Sequence, residues 1–186
     1  MITPKALGIS AATLLLSLGA FSPLTRAATE EKKAASSETK KLDAMDAKFL
    51  KKAAIGGMTE VKLGEVAQKK AKRADVKEFG AMMATDHGKA GDDLKTVASS
   101  KGVEVPSDLD STHKATVDKL SALEGEAFDK AYIKDMVEDH EKDVKEFEQE
   151  VKSAKDPEVK AFAEKTLTVI KTHLEKIKAI QATSPK

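Results

Sequence analysis

Three histidines and one glutamate have the spacing that could build a metal site. His87, His140 and His173 each fall on the apolar stripe of a different predicted helix, and Glu60 falls on the stripe of a fourth. All four lie near mid-helix, so packing the helices together would bring these side chains to a similar depth. Imidazole nitrogen and carboxylate oxygen suit iron, zinc, manganese or copper. The pattern therefore predicts one transition-metal ion in the core of a helical bundle.

The residues next to the histidines indicate what kind of centre this is. A carboxylate-bridged di-iron site needs a Glu-x-x-His motif on two helices. Alanine, valine and isoleucine stand at the three positions where that glutamate would be required. A single ion held by the three histidines and Glu60 fits better. Asp86 and Asp139, each directly before a histidine, are candidates for orienting these ligands.

A second interpretation of the same residues involves no metal. A buried histidine is often satisfied by a carboxylate or a backbone carbonyl, and Glu60 could pair with one imidazole in a core polar network. Four methionines could indicate a copper-handling surface, although methionine at helical spacing is more often core filler. They are Met58, Met82, Met83 and Met136. The fourth histidine, His113, is expected to face solvent.

Four long helices must position these side chains. Apolar periodicity predicts them over about residues 43–71, 75–100, 126–154 and 157–181, with a short helix over about 111–123. Two tight pairs joined by a longer connection predict an all-α four-helix bundle over residues 43–182, with a short extra helix in the connection. The connection, of about 25 residues, could cross the length of the bundle or simply turn.

Two further features bear on how the helices pack. Glycines 56, 57, 64, 80, 88 and 91 lie inside helices, where each costs about 1 kcal/mol relative to alanine. They predict close helix approach or room around a central site. Two internal echoes pair residues 79–87 with 132–140 and residues 76–79 with 159–162. Their offsets differ, so they do not establish one clean duplication.

The two ends of the chain lie outside the predicted bundle. Lys5, an apolar run from Ala6 to Phe21 and the small residues around Arg26 predict a signal peptide over residues 1–27, cleaved after Ala27 or Ala28. Residues 28–42 are expected to be a flexible leader, and residues 183–186 a disordered tail. We therefore expect an exported protein of the periplasm. After the signal, no apolar run is long enough to span a membrane.

Composition excludes several classes of function. The chain has no cysteine, and therefore no disulfide, thiolate metal site or lipid-anchor cysteine. Its 32 basic and 31 acidic residues are interspersed, which argues against a nucleic-acid surface. Neither a nucleophile elbow nor a glycine-rich phosphate loop is present. We therefore favour a protein that is not an enzyme. A metal-dependent oxidase or peroxidase is a weaker alternative, and protein partners and oligomeric state stay open.

Several short motifs resemble a known family. They are Asp46-Ala47-Lys48-Phe49, Glu60-Val61-x-Leu63-Gly64, Asp75-Val76-Lys77-x-Phe79-Gly80, Met83-x2-Asp86-His87, Tyr132-x3-Met136-Val137-x2-His140, Asp156-Pro157 and His173-Leu174. Together they resemble the secreted bacterial family called domain of unknown function 4142, over about residues 43–180. The resemblance implies a ferritin-like bundle and places Glu60, His87, His140 and His173 on polar core positions. Thr168 departs from the family pattern, which usually has proline there.

The sequence leaves two functions to weigh. The first is an exported helical bundle that binds one transition-metal ion in its core, in metal handling or stress protection. The second is a structural or interaction protein of the cell envelope, with a buried His/Glu network and no metal. The presence or absence of an ion in the core decides between them.

Overall fold

Five helices make up the part of the chain that the structure, a computed structural model, describes. That part is residues 41–184, so the predicted signal peptide and most of the predicted leader lie outside it. The helices are α1 (Ala44–Lys70), α2 (Ala74–Ser100), α3 (Ser111–Ser121), α4 (Gly125–Ser153) and α5 (Pro157–Ala182). No strand occurs within residues 41–184. The prediction of an all-α bundle with a short extra helix is confirmed.

The connection between α2 and α4 runs the length of the bundle. Helices α1 and α2 form one antiparallel pair and α4 and α5 the other, with α2 packed on α5 and α1 on α4. Gly125, at the start of α4, lies beside Ala71 in the α1–α2 turn. Helix α2 ends at the opposite end, where Lys101 Nζ is 3.0 Å from Asp156 Oδ2. The chain must therefore cross between the two ends, and α3 lies against α1 and α4 along the way.

Helix ends follow local capping chemistry. The side chain of Asp43 accepts a hydrogen bond from Met45 N–H at the start of α1, and Asp110 accepts one from His113 N–H at the start of α3. Asp156 caps α5 in the same way, and Pro157 occupies the first turn, where a missing N–H costs nothing. These caps fix the starts of three helices.

Two buried aspartates bind the turns of the opposite hairpins. Asp129, on α4, accepts hydrogen bonds from Lys72 N–H and Arg73 N–H in the α1–α2 turn, each at 3.0 Å. Asp46, on α1, accepts from the N–H groups of the α4–α5 turn, at 3.1 Å from Lys155 and 2.8 Å from Asp156. These aspartates and turns are related by one offset of 83 residues. The echo of residues 76–79 in 159–162 has the same offset, and the hairpins are therefore structurally equivalent.

A layer of polar side chains divides the apolar core in two. One cluster surrounds Phe79, Tyr132 and Met136 near the α1–α2 turn, and another surrounds Leu94 and Phe162 near the α4–α5 turn. Between these clusters lie four buried polar residues, namely Glu60, His87, His140 and His173. Because burying polar groups without partners is costly, this layer needs an explanation beyond packing.

Both roles predicted for the helix glycines occur. A Cβ on Gly64 would lie 2.5 Å from Gly80 O, and one on Gly80 would lie 2.6 Å from Ala67 Cβ. These two glycines therefore let α1 and α2 approach closely. A Cβ on any of the glycines 56, 57, 88 and 91 would meet nothing within 4 Å.

This difference predicts opposite effects of one substitution. Gly64→Ala is expected to destabilise the protein by about 2–3 kcal/mol, because its methyl group meets backbone atoms that cannot move alone. Gly88→Ala, in open space on α2, is expected to stabilise it by about 0.5–1 kcal/mol through helix propensity. Urea unfolding of both variants measures these changes in stability. Equal changes in Gly64→Ala and Gly88→Ala would contradict the described packing of α1 on α2.

A buried glutamate predicts pH-dependent stability. Burial raises the pKa of Glu150 to about 7, with Asp46 and Asp43 adding to the shift. The folded state then holds a proton that the unfolded state has lost, so stability falls as the pH rises from about 4.5 to about 7. Glu150→Gln is expected to be more stable than the unmodified protein by about 1–2 kcal/mol at pH 8, and equal to it at pH 4. Urea unfolding at both pH values measures the stability of the two proteins. The same stability difference between them at pH 8 and at pH 4 would contradict the prediction.

Both ends of the described chain contact the bundle. Leu42, the last residue of the predicted leader, is buried. Thr183 and Ser184, which begin the predicted tail, accept hydrogen bonds from the Arg73 guanidinium at 2.8 Å and 2.5 Å. Within residues 41–184, no helix has both the length and the apolar character needed to cross a membrane.

Candidate metal centre

The structure brings the four predicted site residues together in the polar layer. Glu60 comes from α1, His87 from α2, His140 from α4 and His173 from α5, and none is more than 4% exposed. The centroids of the three imidazole rings lie 5.1–5.9 Å apart. Each long helix thus contributes one polar side chain at the same level.

One nitrogen of each ring faces an acceptor on the outside of the cluster. His140 Nδ1 is 3.0 Å from the backbone oxygen of Met136, and His173 Nε2 is 3.1 Å from Asp86 Oδ2. His87 Nδ1 is 2.9 Å from Glu60 Oε2. We assign the single N–H of each neutral ring to this outer nitrogen, where it can donate.

That assignment leaves a lone pair on the inner nitrogen of every ring. One nitrogen from each histidine lies within 4.8 Å of the others, and His87 Nε2 is 3.2 Å from His173 Nδ1. His140 Nε2 is buried and has no hydrogen-bond partner among the described residues. Metal-binding histidines characteristically donate their other N–H to a carboxylate or carbonyl, as all three rings do here. A four-coordinate ion would need these nitrogens about 3.3–3.4 Å apart.

The electrostatics keep the imidazoles neutral, which is the form that binds metal. Burial lowers the pKa of His87 to about 4. Burial and the two neighbouring rings lower the pKa of His140 to about 3. Burial also lowers the pKa of His173, although Asp86 opposes the shift. Protons therefore do not compete for these nitrogens near neutral pH.

Glu60 belongs to a second cluster, which consists of carboxylates. Oxygens of Glu60, Asp139 and Asp143 lie within 4.8 Å of one another. Burial raises the pKa of Glu60 well above its usual range, and it raises that of Asp143 to about 9, with Glu60 and Asp139 adding. The three histidine nitrogens that lie within 4.8 Å of one another form a separate group, and no oxygen of Glu60 belongs to it. Glu60 Oε1 is nevertheless only 3.6 Å from His140 Nε2.

The three aspartates near the histidines, Asp86, Asp139 and Asp143, have different surroundings. Asp86 contacts His173 rather than the adjacent His87. Asp139 lies in the carboxylate cluster, where Lys142 Nζ is 3.7 Å from its Oδ1. Asp143 is the residue that sequence reasoning missed. It lies three residues after His140, on the same side of α4, and at the hairpin offset it is the counterpart of Glu60.

A cavity of about 50 Å³ lies beside both clusters. Glu60, His87, Asp139 and Asp143 line it, together with glycines 56, 57 and 91. The missing side chains of these glycines provide room around the centre. His113, expected to face solvent, is half-buried and also lines this cavity.

Three of the four methionines follow the core interpretation. Met83 and Met136 are fully buried in the apolar cluster around Phe79, and Met82 packs against that cluster. These side chains fill space between the helices. They therefore do not form an exposed copper-handling surface.

The family assignment follows from a sequence match over most of the chain. The family described as domain of unknown function DUF4142 matches residues 31–180. The chain belongs to this family. That span includes all five helices up to the last turn of α5 and every residue of both clusters, so the site described here lies within the DUF4142 domain. No curated protein matches the chain.

Solved structures similar to this DUF4142 protein share its fold at low sequence identity. A DUF305 fragment from Deinococcus radiodurans has a TM-score of 0.68 at 12% identity, covering 77% of this chain and 99% of that one. A DUF305 protein from Streptomyces coelicolor, described as secreted, has a TM-score of 0.63 at 16% identity, covering 74% and 91%. CopM, solved in a Cu(I)-bound form, has a TM-score of 0.60 at 17% identity, covering 72% and 93%.

Proposed function

We propose that this DUF4142 protein is exported and binds one transition-metal ion through His87, His140 and His173, in metal handling or stress protection. The observation that carries the proposal is the orientation of the three buried rings. Each has an acceptor at its outer nitrogen, and the inner nitrogens face one another. The connection between α2 and α4, which runs the length of the bundle, is also typical of a ferritin-like fold.

Glu60 acts here mainly as the carboxylate that holds His87. Its Oε2 accepts from His87 Nδ1, which fixes the tautomer and makes the inner nitrogen more basic. Its Oε1 faces His140 and is the protein's nearest candidate for a fourth ligand.

A purely structural network explains the same residues less well. Glu60 Oε1 and His140 Nε2 are both buried and lack hydrogen-bond partners within residues 41–184. Each such group costs about 1–3 kcal/mol. A network retained only for stability would satisfy these atoms, whereas a ligand-binding site leaves them free for the ligand.

The identity of the ion is open among zinc, iron, manganese and copper. Imidazole ligands suit several of these ions, and the buried Met83 and Met136 belong to the apolar cluster around Phe79. The Cu(I)-bound form of CopM lends support to a metal-handling role for proteins of this fold. The secreted DUF305 protein and the predicted signal peptide support export in the same way.

Binding of Zn²⁺, Co²⁺ and Cu⁺ to metal-free protein tests the proposal by isothermal titration. We expect about one equivalent of at least one ion, with binding weakened at least 100-fold in each of His87→Ala, His140→Ala and His173→Ala. Glu60→Gln is expected to weaken binding by about 10–100-fold. His113→Ala, a histidine outside the cluster, is the matched control. Absence of histidine-dependent binding by these three ions and by Fe²⁺ and Mn²⁺, or an equal loss in the control, would contradict the proposal.

A further inference from the structure

The carboxylate cluster of Glu60, Asp139 and Asp143 is not explained by an ion at the histidines. Its oxygens lie within 4.8 Å of one another, yet only one of the three side chains contacts a histidine in the described structure. Lys142 is 3.7 Å from Asp139, but its side chain is 56% exposed. One solvated ammonium group, at this distance, is a weak partner for this cluster.

The buried member of the cluster has a free oxygen. Glu60 is 2% exposed, and its Oε1 has no hydrogen-bond partner within the described chain. An acidic cluster on the surface alone would say little, since exposed acids are common. A nearly inaccessible carboxylate with an unused oxygen, next to two more carboxylates, lacks a positive partner of its own.

The cavity next to the cluster has room for that partner. Its volume of about 50 Å³ is bounded by all three carboxylates and by helix glycines with open space where a Cβ would be. The volume suits a small ion with one or two water molecules. Oxygen-only ligands favour hard divalent cations of the Mn²⁺ and Mg²⁺ class over ions that prefer nitrogen or sulfur.

We propose that Glu60, Asp139 and Asp143 bind a hard divalent cation beside the cavity, at a site separate from the ion at the three histidines. Glu60 takes part in both sites, since its Oε2 contacts His87, and its Oε1, which is 3.6 Å from His140 Nε2, has no hydrogen-bond partner within the described chain. The site joins the two equivalent hairpins, because Glu60 and Asp143 occupy corresponding positions on α1 and α4. This proposal goes beyond the histidine centre and can hold without it.

The test is a titration of the full protein with Mn²⁺, in which electron paramagnetic resonance measures the free ion. The protein carries one equivalent of Zn²⁺ to occupy the histidines. We expect about one equivalent of bound Mn²⁺, with affinity reduced at least tenfold in Asp143→Asn and in Asp139→Asn. Both substitutions keep the side-chain shape, so the fold is expected to persist. Glu138→Gln, with the same charge change at an exposed position of α4, is the control and should bind within twofold of the unmodified protein.

The outcomes separate this site from the histidine centre. His173→Ala, which removes a histidine ligand but no carboxylate, is expected to keep Mn²⁺ binding within about threefold. If zinc does not bind but Mn²⁺ binding depends on Asp143, the histidine centre fails and the carboxylate site stands. The carboxylate site is overturned if Mn²⁺ does not bind at millimolar concentration. It is equally overturned if Asp143→Asn binds Mn²⁺ as well as Glu138→Gln does, or if only His173→Ala abolishes binding.

Discussion

Adding Zn²⁺ to the metal-free protein is expected to raise its free energy of unfolding by about 4 kcal/mol when the free ion is at about 1,000 times its Kd. The gain arises because the three histidines from α2, α4 and α5 come together only in the folded state. The chain has no cysteine, so the unfolded state offers no thiolate that would bind zinc and reduce this difference. Urea unfolding with and without zinc, at pH 7.5, measures the effect.

His140→Leu distinguishes this metal effect from a simple loss of stability. Leucine at position 140 cannot bind the metal. It also removes the buried Nε2, which has no hydrogen-bond partner within residues 41–184. Without metal, the variant is therefore expected to equal the unmodified protein or exceed it by about 1 kcal/mol. With zinc it should be less stable by about 4 kcal/mol. A variant that is strongly destabilised without metal would instead indicate a structural polar network.

The second large effect is expected at the buried aspartates that bind the hairpin turns. Asp129→Ala removes two charge-assisted hydrogen bonds to the backbone of Lys72 and Arg73. Such bonds contribute about 1.5–3 kcal/mol each when their donors are left without partners. Because water can reach a turn and replace part of this loss, we expect a total of about 3 kcal/mol. Asp46→Ala should have a similar effect at the other turn.

Two comparisons check the origin of that loss. Asp129→Asn keeps one acceptor oxygen and is expected to lose about half as much stability as Asp129→Ala. Asp118→Ala removes an exposed acid of α3 that pairs with Lys114, so it should change stability by less than about 0.5 kcal/mol. Urea unfolding applies to all of these variants. An equal loss in Asp118→Ala and Asp129→Ala would show that the aspartates do not act through the turns.

The sequence allowed the helices to be predicted closely because its signals are long and redundant. Apolar residues recur at helical spacing over more than twenty residues in each long helix, and Asp156-Pro157 marks one boundary chemically. The course of the connection could not be predicted in this way. Its length permits either path, and the decision comes from tertiary contacts such as Gly125 beside Ala71.

The candidate site shows the same division between local and tertiary information. Helical spacing was enough to place one polar residue of each long helix in a common layer. It could not assign partners, since Asp86 and His87 are adjacent in sequence but point about 100° apart around the helix. Asp86 therefore reaches His173 on α5. Spacing also could not show that Glu60 lies in a carboxylate cluster with Asp139 and Asp143.

Asp143 could have been found from a weak signal. The echo of residues 76–79 in residues 159–162 has an offset that relates Glu60 to Asp143. The competing echo, around His87 and His140, obscured this offset because its spacing differs. Only the equivalent contacts of Asp46 and Asp129 with the two turns show which offset describes the fold.

Elemental analysis of protein purified from its native compartment tests the central claim most directly, with a His87→Ala/His140→Ala double variant prepared in parallel. We predict about one equivalent of a transition metal in the unmodified protein and less than about one tenth of that in the variant. If neither protein contains metal, and neither takes up iron, zinc, manganese or copper when these are added, the histidine layer is not a metal centre. The polar layer would then be a structural network.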